Sequence, residues 1–432
     1  MNPPTNGASV RSTLTRRWGN DLAISIIGVG DRWEHIYTAI VLTCLMQAVV
    51  LAAGKGRRLW PLTETRPKPM IPVANRPILE HVVESLSDAG ADEVILVVGS
   101  NRERVQNHFE NGQHHDVDIS YAIQDRQLGT GHALLQAESQ LADSFVVLNG
   151  DRVTRADAIE DVWTRHQQTD DPAMGVTRVS EPSRYGVVDL NGNTVVGITE
   201  KPIPELTTSD FINTGIYALS SDVFSAIRRV EPRGEQSLTD ALSEYVAEQQ
   251  LHGVRYRGVW QDISEPWDLL SMNEALTQRC GGVSSDTATV DPSAVVADET
   301  ITGEGVTIHP QASVLSSVTL GDNVSVGPGA ILKDTVILDD ATVKAGTVLT
   351  ECVVGANTTV GANTTADGGR ADIVLDETVY RNVSFGGLLG DNVTVGSNVT
   401  IQPGTIVGNN ATLGSGTFIS GRINDGQHIT RG

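Results

Sequence analysis

From about Asp286 to the end of the chain an aliphatic residue returns every sixth position. Val290, Val296, Ile308, Val314, Leu320, Val326, Leu332 and Leu338 keep the period, with Thr302 as its one polar member, and after an interruption Leu389, Val395, Ile401, Val407, Leu413 and Ile419 keep it again. No α-helix or simple amphipathic strand repeats at six. A fixed short period means a solenoid, because each turn can bury its aliphatic row only against the turns above and below it. Aromatic residues are only 4% of the chain, which suits a narrow interior lined by Val, Leu and Ile.

The first half obeys another rule. From Met46 to about Arg279 short apolar runs alternate with helical periodicity: Ala48 to Leu51, Val94 to Val98 and Phe145 to Leu148 read as buried strands, and Ile78, Leu79, Val82, Val83 and Leu86 give one helical face that ends at Gly90. This is the rhythm of an α/β doubly wound, Rossmann-like sheet. Three segments follow: a leader or start-site artefact over 1–45, an α/β domain over 46–280 and a solenoid over 286–432. Within the first, Arg16-Arg17 ahead of Leu22 to Val29 resembles a twin-arginine signal interrupted by Asp21, and Ile36 to Met46 is too short for the ~20 residues of a membrane span.

A glycine-rich basic loop, Leu51-Ala52-Ala53-Gly54-Lys55-Gly56-Arg57-Arg58-Leu59-Trp60-Pro61-Leu62-Thr63, leaves the carboxyl end of the first α/β strand and is closed by Pro67-Lys68-Pro69. Crevices at strand carboxyl ends bind nucleotides in such sheets. Gly54 and Gly56 let backbone amides approach phosphate, and Lys55, Arg58 and Lys68 add full charges. The spacing fits neither a P-loop nor a dinucleotide-binding loop.

Formal net charge is −22. A surface of that sign repels nucleic acid and anionic membranes, so neither is expected as a partner. Only five lysines occur, Lys55, Lys68, Lys201, Lys333 and Lys344, and we read the acidic, lysine-poor composition as adaptation to high salt. Cys44, Cys280 and Cys352 form no disulfide or zinc pattern, which points to a reducing cytoplasm.

The basic loop, with Met70-Ile71-Pro72-Val73 completing it, resembles the signature of the sugar nucleotidyltransferases; Arg57 stands where that family usually has threonine. The resemblance continues in order. Gln124 to Ala133 is similar to the base-reading segment of uridylyltransferases, and it implies that Leu51, Ala53, Gly54, Lys55, Gly56, Gln124, Gly129 and Thr130 bind the nucleotide. UTP is then favoured over dTTP. Asn149-Gly150-Asp151 and Trp260-Gln261-Asp262 resemble the metal motifs, which implies Mg²⁺ on Asp151 and Asp262. Tyr185-Gly186-Val187, Glu200-Lys201-Pro202 and Asn213-Thr214-Gly215 resemble the sugar side, implying Gly186, Glu200 and Asn213 as sugar ligands. Arg58, Lys68 and Lys201 are the expected catalytic cations. The reaction implied is attack of a sugar-1-phosphate on the α-phosphorus of a nucleoside triphosphate. It needs no enzyme base, and His132 is expected to pack behind the base loop.

Units such as Leu320-Gly321-Asp322-Asn323-Val324-Ser325 resemble the hexapeptide repeat of left-handed parallel β-helices, whose members usually form trimers. The whole resembles archaeal-type bifunctional enzymes that join an N-acetylglucosamine-1-phosphate uridylyltransferase to a glucosamine-1-phosphate acetyltransferase using acetyl-CoA. The second half departs from them. Thr347 follows Lys344-Ala345-Gly346 where relatives place a catalytic histidine, and the Asp367 to Gly387 loop offers only Arg370 and Arg381 where relatives carry lysines. His309 heads a hexad and is expected to be a solvated corner residue. A glucose-1-phosphate thymidylyltransferase, a fully bifunctional enzyme, and a sugar-nucleotide-binding regulatory subunit without turnover stand as alternatives.

Overall fold

The computed structural model describes residues 13–17, 23–27, 45–99, 101–207, 209–230 and 236–430. Most of the leader expected over 1–45 lies outside them; there the strands Thr13–Arg17 and Ala23–Ile27 pair antiparallel. No described helix is long and apolar enough to cross a membrane.

Nine strands form the sheet of the first domain, in the order Ala173–Arg178, His252–Arg255, Thr194–Glu200, Gly186–Asn191, Phe211–Ser220, Ser144–Asn149, Met46–Leu51, Ala91–Val98, Asp118–Ile123. The last four are parallel, as the alternating pattern predicts; Ser144–Asn149, Met46–Leu51 and Ala91–Val98 are largely buried apolar runs, and Asp118–Ile123 is a partly exposed edge strand. The other half is mainly antiparallel, with Gly186–Asn191 and Thr194–Glu200 forming a hairpin around Asn191-Gly192-Asn193. The chain winds outward from Met46–Leu51 through two strands on one side and then returns to place Ser144–Asn149 on the other. The carboxyl ends of these two neighbours therefore mark the topological switch point. Leu51 to Gly54 and Asn149 to Asp151 leave from there, held together by the Gly150 amide donating to the Leu51 carbonyl at 3.0 Å.

The second domain is a parallel β-helix. Each turn lays one short strand on each of three sheets, of eight, eight and seven strands. The interior is the aliphatic row: Ile308, Val314, Leu320, Val326, Leu332, Val343, Leu349, Val354 and Val360 are all nearly or fully buried in one cluster. Corners take Asn323, Asn357, Asn363, Asn392, Asn398 and Asn410 at φ of 54° to 60°, the left-handed conformation that asparagine tolerates.

One position in the predicted row is corrected. Ile337, not Leu338, faces the interior, stacked between Leu320 and Val354. The turn at Lys333-Asp334-Thr335 is one residue short, and a one-residue slip sends every following side chain to the opposite face. Leu338 points outward, into a core shared with the first domain.

That shared core is extensive. Leu59, Leu62, Ile71 and Val73 from the signature segment pack in one cluster with Ile301, Val336, Leu338, Val353, Phe385, Leu388 and Ile406 of the β-helix. Polar anchors flank it. Buried Asp391 accepts from Thr65 Oγ1 at 2.5 Å and pairs with the Arg66 guanidinium, and Asn409 Nδ2 donates to the Pro61 carbonyl at 2.9 Å. Asn273, on the Pro266–Cys280 helix, donates to the Ser317 carbonyl and accepts from Thr319.

Between Ala366 and Gly387 the repeats are interrupted by an antiparallel hairpin, Arg370–Leu375 with Thr378–Ser384. It lies against the first domain: the Tyr380 ring meets Trp267 edge-on at 5.1 Å, and Phe385, just after the hairpin, meets the same indole at 6.1 Å.

Candidate active site

Two connected hollows open at the switch point. One, of about 490 Å³, is lined by Leu51, Ala53, Gly54, Lys55, Gly56, Arg58, Lys68, Gln124, Gly129, Thr130 and Asp151, with Asn149, Gly150 and Gln127. It gathers every expected nucleotide ligand. The second, of about 510 Å³, lies across the glycine loop and adds Trp60, Asn101, Arg102 and Arg422.

Local geometry explains the glycines. Gly56 has φ +62°, and a Cβ there would stand 2.8 Å from Lys68 Cβ, so the loop lies directly on the lysine. Gly129 has φ +113°, and its Cβ would stand 2.4 Å from the Gln236 carbonyl oxygen. Gly129→Ala combines strain with collision. A penalty of about 1–3 kcal/mol, absorbed by the base loop, corresponds to a triphosphate KM raised about 5- to 150-fold. Steady-state kinetics with the triphosphate varied checks this, and an unchanged KM refutes the placement of the loop.

The Gln124 amide is oriented by its neighbours. Its Nε2 lies 3.0 Å from the Gly129 carbonyl and 2.9 Å from His132 Nδ1. His132 thus stands behind the base loop and holds its glutamine. Gln127 was not anticipated. Its Nε2 donates to the Ala53 carbonyl at 2.6 Å, tying the base loop to the glycine loop, while its Oε1 is buried without a hydrogen-bond partner.

Charge concentrates at the floor. Lys68 is buried, and its Nζ sits 2.5 Å from Asp151 Oδ2. Burial alone would raise the Asp151 carboxyl, but the charges of Lys68 and Arg152 and the lysine hydrogen bond together hold it below its ordinary value. Asp262 is brought alongside by a two-stranded ladder in which Arg152 pairs with Asp262, and the Ile263 amide donates to the Asp151 carbonyl at 3.1 Å. Two segments distant in sequence thus deliver both candidate metal carboxylates.

Arg152 was also not anticipated, although it follows Asp151 directly. Its Nε is 3.6 Å from Asp262, and its Nη1 donates to the Asn213 carbonyl at 3.1 Å. Burial opposes its charge, but Asp262 and Asp151 keep the guanidinium firmly protonated. Arg152 joins the carboxylates to the sugar-side residues. There Gly186 pairs in register with Glu200, and a Cβ on Gly186 would stand 3.0 Å from Glu200 Oε2 and 3.7 Å from Asn213 Cβ. Asn213 is buried, its Nδ2 donating to the Tyr217 hydroxyl at 2.5 Å and its Oδ1 accepting from the Gly215 amide. Lys201 is exposed, with φ +42°, and lines neither hollow. It is the one expected catalytic residue that stands apart from the nucleotide set.

Arg58 lines the nucleotide hollow with one edge of its guanidinium engaged from behind. Nη1 reaches Glu265 Oε1 at 2.5 Å, and Nη2 reaches Ser264 Oγ at 3.2 Å.

A family model described as nucleotidyl transferase matches residues 47–279, a segment that contains this entire arrangement. The chain belongs to the nucleotidyl transferase family. Residues 296–385 of this nucleotidyl transferase match a GMPPB C-terminal domain, and 387–421 match bacterial transferase hexapeptide repeats. It is similar to the bifunctional protein GlmU of Methanococcus maripaludis strain C7, 37% identical over 389 residues that cover 83% of this chain and 91% of the relative. It is also similar to a glucose-1-phosphate thymidylyltransferase of Streptomyces antibioticus, 31% identical over 365 residues, or 81% and 93% of the two chains. A solved UDP-glucose pyrophosphorylase complexed with UDP-glucose superposes with TM-score 0.50 at 23% identity over 54% of this chain and 99% of its own, a likeness of fold.

Proposed function

We propose that this nucleotidyl transferase makes a nucleotide sugar from a nucleoside triphosphate and a sugar-1-phosphate, with UTP as donor and N-acetylglucosamine-1-phosphate or glucose-1-phosphate as acceptor. The observation that carries the reading is the Lys68–Asp151 pair on the floor of the nucleotide hollow, with Asp262 and Arg152 beside it. The bound acceptor phosphate is already ionised near neutral pH, so its oxygen forms the new bond to the α-phosphorus directly. The bond from that phosphorus to pyrophosphate breaks, and no proton has to move. In this reading Lys68 offsets charge on the α-phosphate, and Arg58 and Lys55 offset the departing pyrophosphate. Catalysis is then positioning and electrostatic stabilisation. Gly186, Glu200 and Asn213 are assigned to the sugar in this reading, and Lys201 to its phosphate.

Among the described residues no three His, Cys, Asp or Glu side chains gather as a metal cage. Two adjacent carboxylates of hard oxygen fit Mg²⁺, which is commonly held by one or two carboxylates and substrate phosphates. Bound by Asp151 and Asp262, Mg²⁺ supplies further neutralisation of phosphate charge.

Acetyl transfer from acetyl-CoA is the second reading, in keeping with the bifunctional relatives. Thr347 does not support it. The residue is fully buried, and its hydroxyl donates to the Gly361 carbonyl at 3.0 Å, as Thr358 and Thr364 donate to carbonyls of the next turn. It is a rung of the β-helix wall, and a hydroxyl of this kind is no base for an amine.

The test is pyrophosphate release with Mg²⁺ at high KCl, crossing UTP or dTTP with each sugar phosphate. Turnover is expected with UTP, and silence in all four combinations overturns the proposal in favour of another sugar or of a regulatory binding protein. Thiol release from acetyl-CoA with glucosamine-1-phosphate, run alongside, tests the second reading. Trimeric assembly and a cytoplasmic setting belong to the same proposal.

A further inference from the structure

Glu265 is fully buried, yet it carries a charge met from three directions. Arg58 reaches Oε1 at 2.5 Å, Arg184 reaches Oε2 at 2.6 Å, and the Tyr380 hydroxyl donates to Oε1 at 3.0 Å. Burial would raise its carboxyl, but the two guanidinium groups outweigh that and hold it below its ordinary value. A buried carboxylate is tolerated when its lone pairs are filled, and three donors fill these.

The three donors come from separate parts of the molecule. Arg58 belongs to the signature loop. Arg184 stands two residues before Gly186 on the sugar side. Tyr380 belongs to the hairpin of the β-helix domain, whose turn residue Asp376 lines both hollows, and its hydroxyl also stands 3.5 Å from Arg58 Nη1. Ser264 extends the chain: its Oγ meets Arg58 Nη2 at 3.2 Å and donates to Asp262 Oδ2 at 2.9 Å. The Tyr380 ring is itself fixed, edge-on to Trp267 and under the Arg184 guanidinium at 5.9 Å.

We infer that Tyr380 is a positioning residue of the nucleotidyltransferase site, supplied by the β-helix domain and acting through Glu265 to fix the Arg58 guanidinium toward the triphosphate. The inference rests on the nucleotidyl-transfer reading. Arg58 is more than a third exposed, with a side-chain relative accessibility of 38%, so packing alone does not hold its guanidinium and the polar partners behind it set its orientation. An arginine that must search for its geometry costs ordering entropy in every turnover. Fixed from behind, it presents a prepared edge to the pyrophosphate.

The experiment uses the full-length protein and three variants, Tyr380→Phe, Arg58→Lys and their combination, in the pyrophosphate-release assay. Tyr380→Phe keeps the ring against Trp267 and removes one hydrogen bond to a charged group. It is expected to lower kcat/KM for the triphosphate about 10-fold, the scale of one such bond, with the sugar-phosphate KM within about twofold of the parent. In the Arg58→Lys background the same change is expected to have less than about a twofold effect, because the fork it positions is gone. Equal losses in both backgrounds, a loss shared equally by both substrates, or no loss in Tyr380→Phe each overturns the inference. A parent protein silent with every substrate pair instead fails the underlying function, and the two failures are distinguishable.

Discussion

Lys68→Ala is expected to lower kcat by about 10²- to 10³-fold, the usual loss when one prepared donor to developing charge is removed. The lysine is placed for this by its surroundings. It is buried in the signature segment, pressed by Gly56 and tied to Asp151. The same change alters acid stability in a definite direction. In the parent, Asp151 is held below its ordinary value, so its contribution to stability is complete above the unfolded value of about 3.9 and is lost as pH falls through the lower folded value. Without Lys68 the largest charge holding the carboxyl down is gone, so that contribution shrinks and the variant loses less stability than the parent as pH falls. Pyrophosphate release and thermal melts at stepped pH check both halves. A variant with near-parental kcat removes Lys68 from the chemistry.

Asp391→Leu has the largest expected effect on stability. Arg66 is 8% exposed and pairs with Asp391, whose Oδ2 also accepts from Thr65 and whose Oδ1 accepts from the Ala356 amide. Removing the carboxylate leaves a buried guanidinium unpaired, a loss of about 3–5 kcal/mol. Arg66→Leu combined with Asp391→Leu is expected to recover much of that, because an apolar pair of similar volume is often tolerated where a broken ion pair is not. Urea denaturation of the three proteins measures it. A midpoint for Asp391→Leu equal to the parent's shows that Arg66 finds other solvation.

Much of this molecule is legible in its sequence. The glycine loop, the base segment and the Asp151 and Asp262 motifs are contiguous runs whose residue types declare their chemistry, and the structure brings the nucleotide set into one hollow. The six-residue period declares the solenoid because nearest-neighbour stacking is local. What the pattern misses is non-local. The single-residue slip before Ile337 hides because Val336, Ile337 and Leu338 are all aliphatic, so the period alone cannot choose among them. Arg152 hides behind the aspartate it follows; only the ladder to Asp262 shows that it bridges the carboxylates and the sugar side. Glu265 and Tyr380 are separated by more than a hundred residues, and no local rule predicts their contact. Lys201 shows the opposite limit, a residue conspicuous in the sequence whose loop stands away from the hollow.

The apolar cluster that joins Leu59 and Leu62 to Leu338 and Phe385 bears on modularity. A catalytic unit and a repeat array are usually exchangeable parts, joined by a linker that evolution or an engineer can cut. Here the segment carrying the glycine-rich basic loop is also the adhesive surface. A foreign β-helix grafted after residue 280 would strip Leu59 and Leu62 of their apolar partners unless it presented a matching face, so the two halves are not exchangeable by a cut at the linker alone.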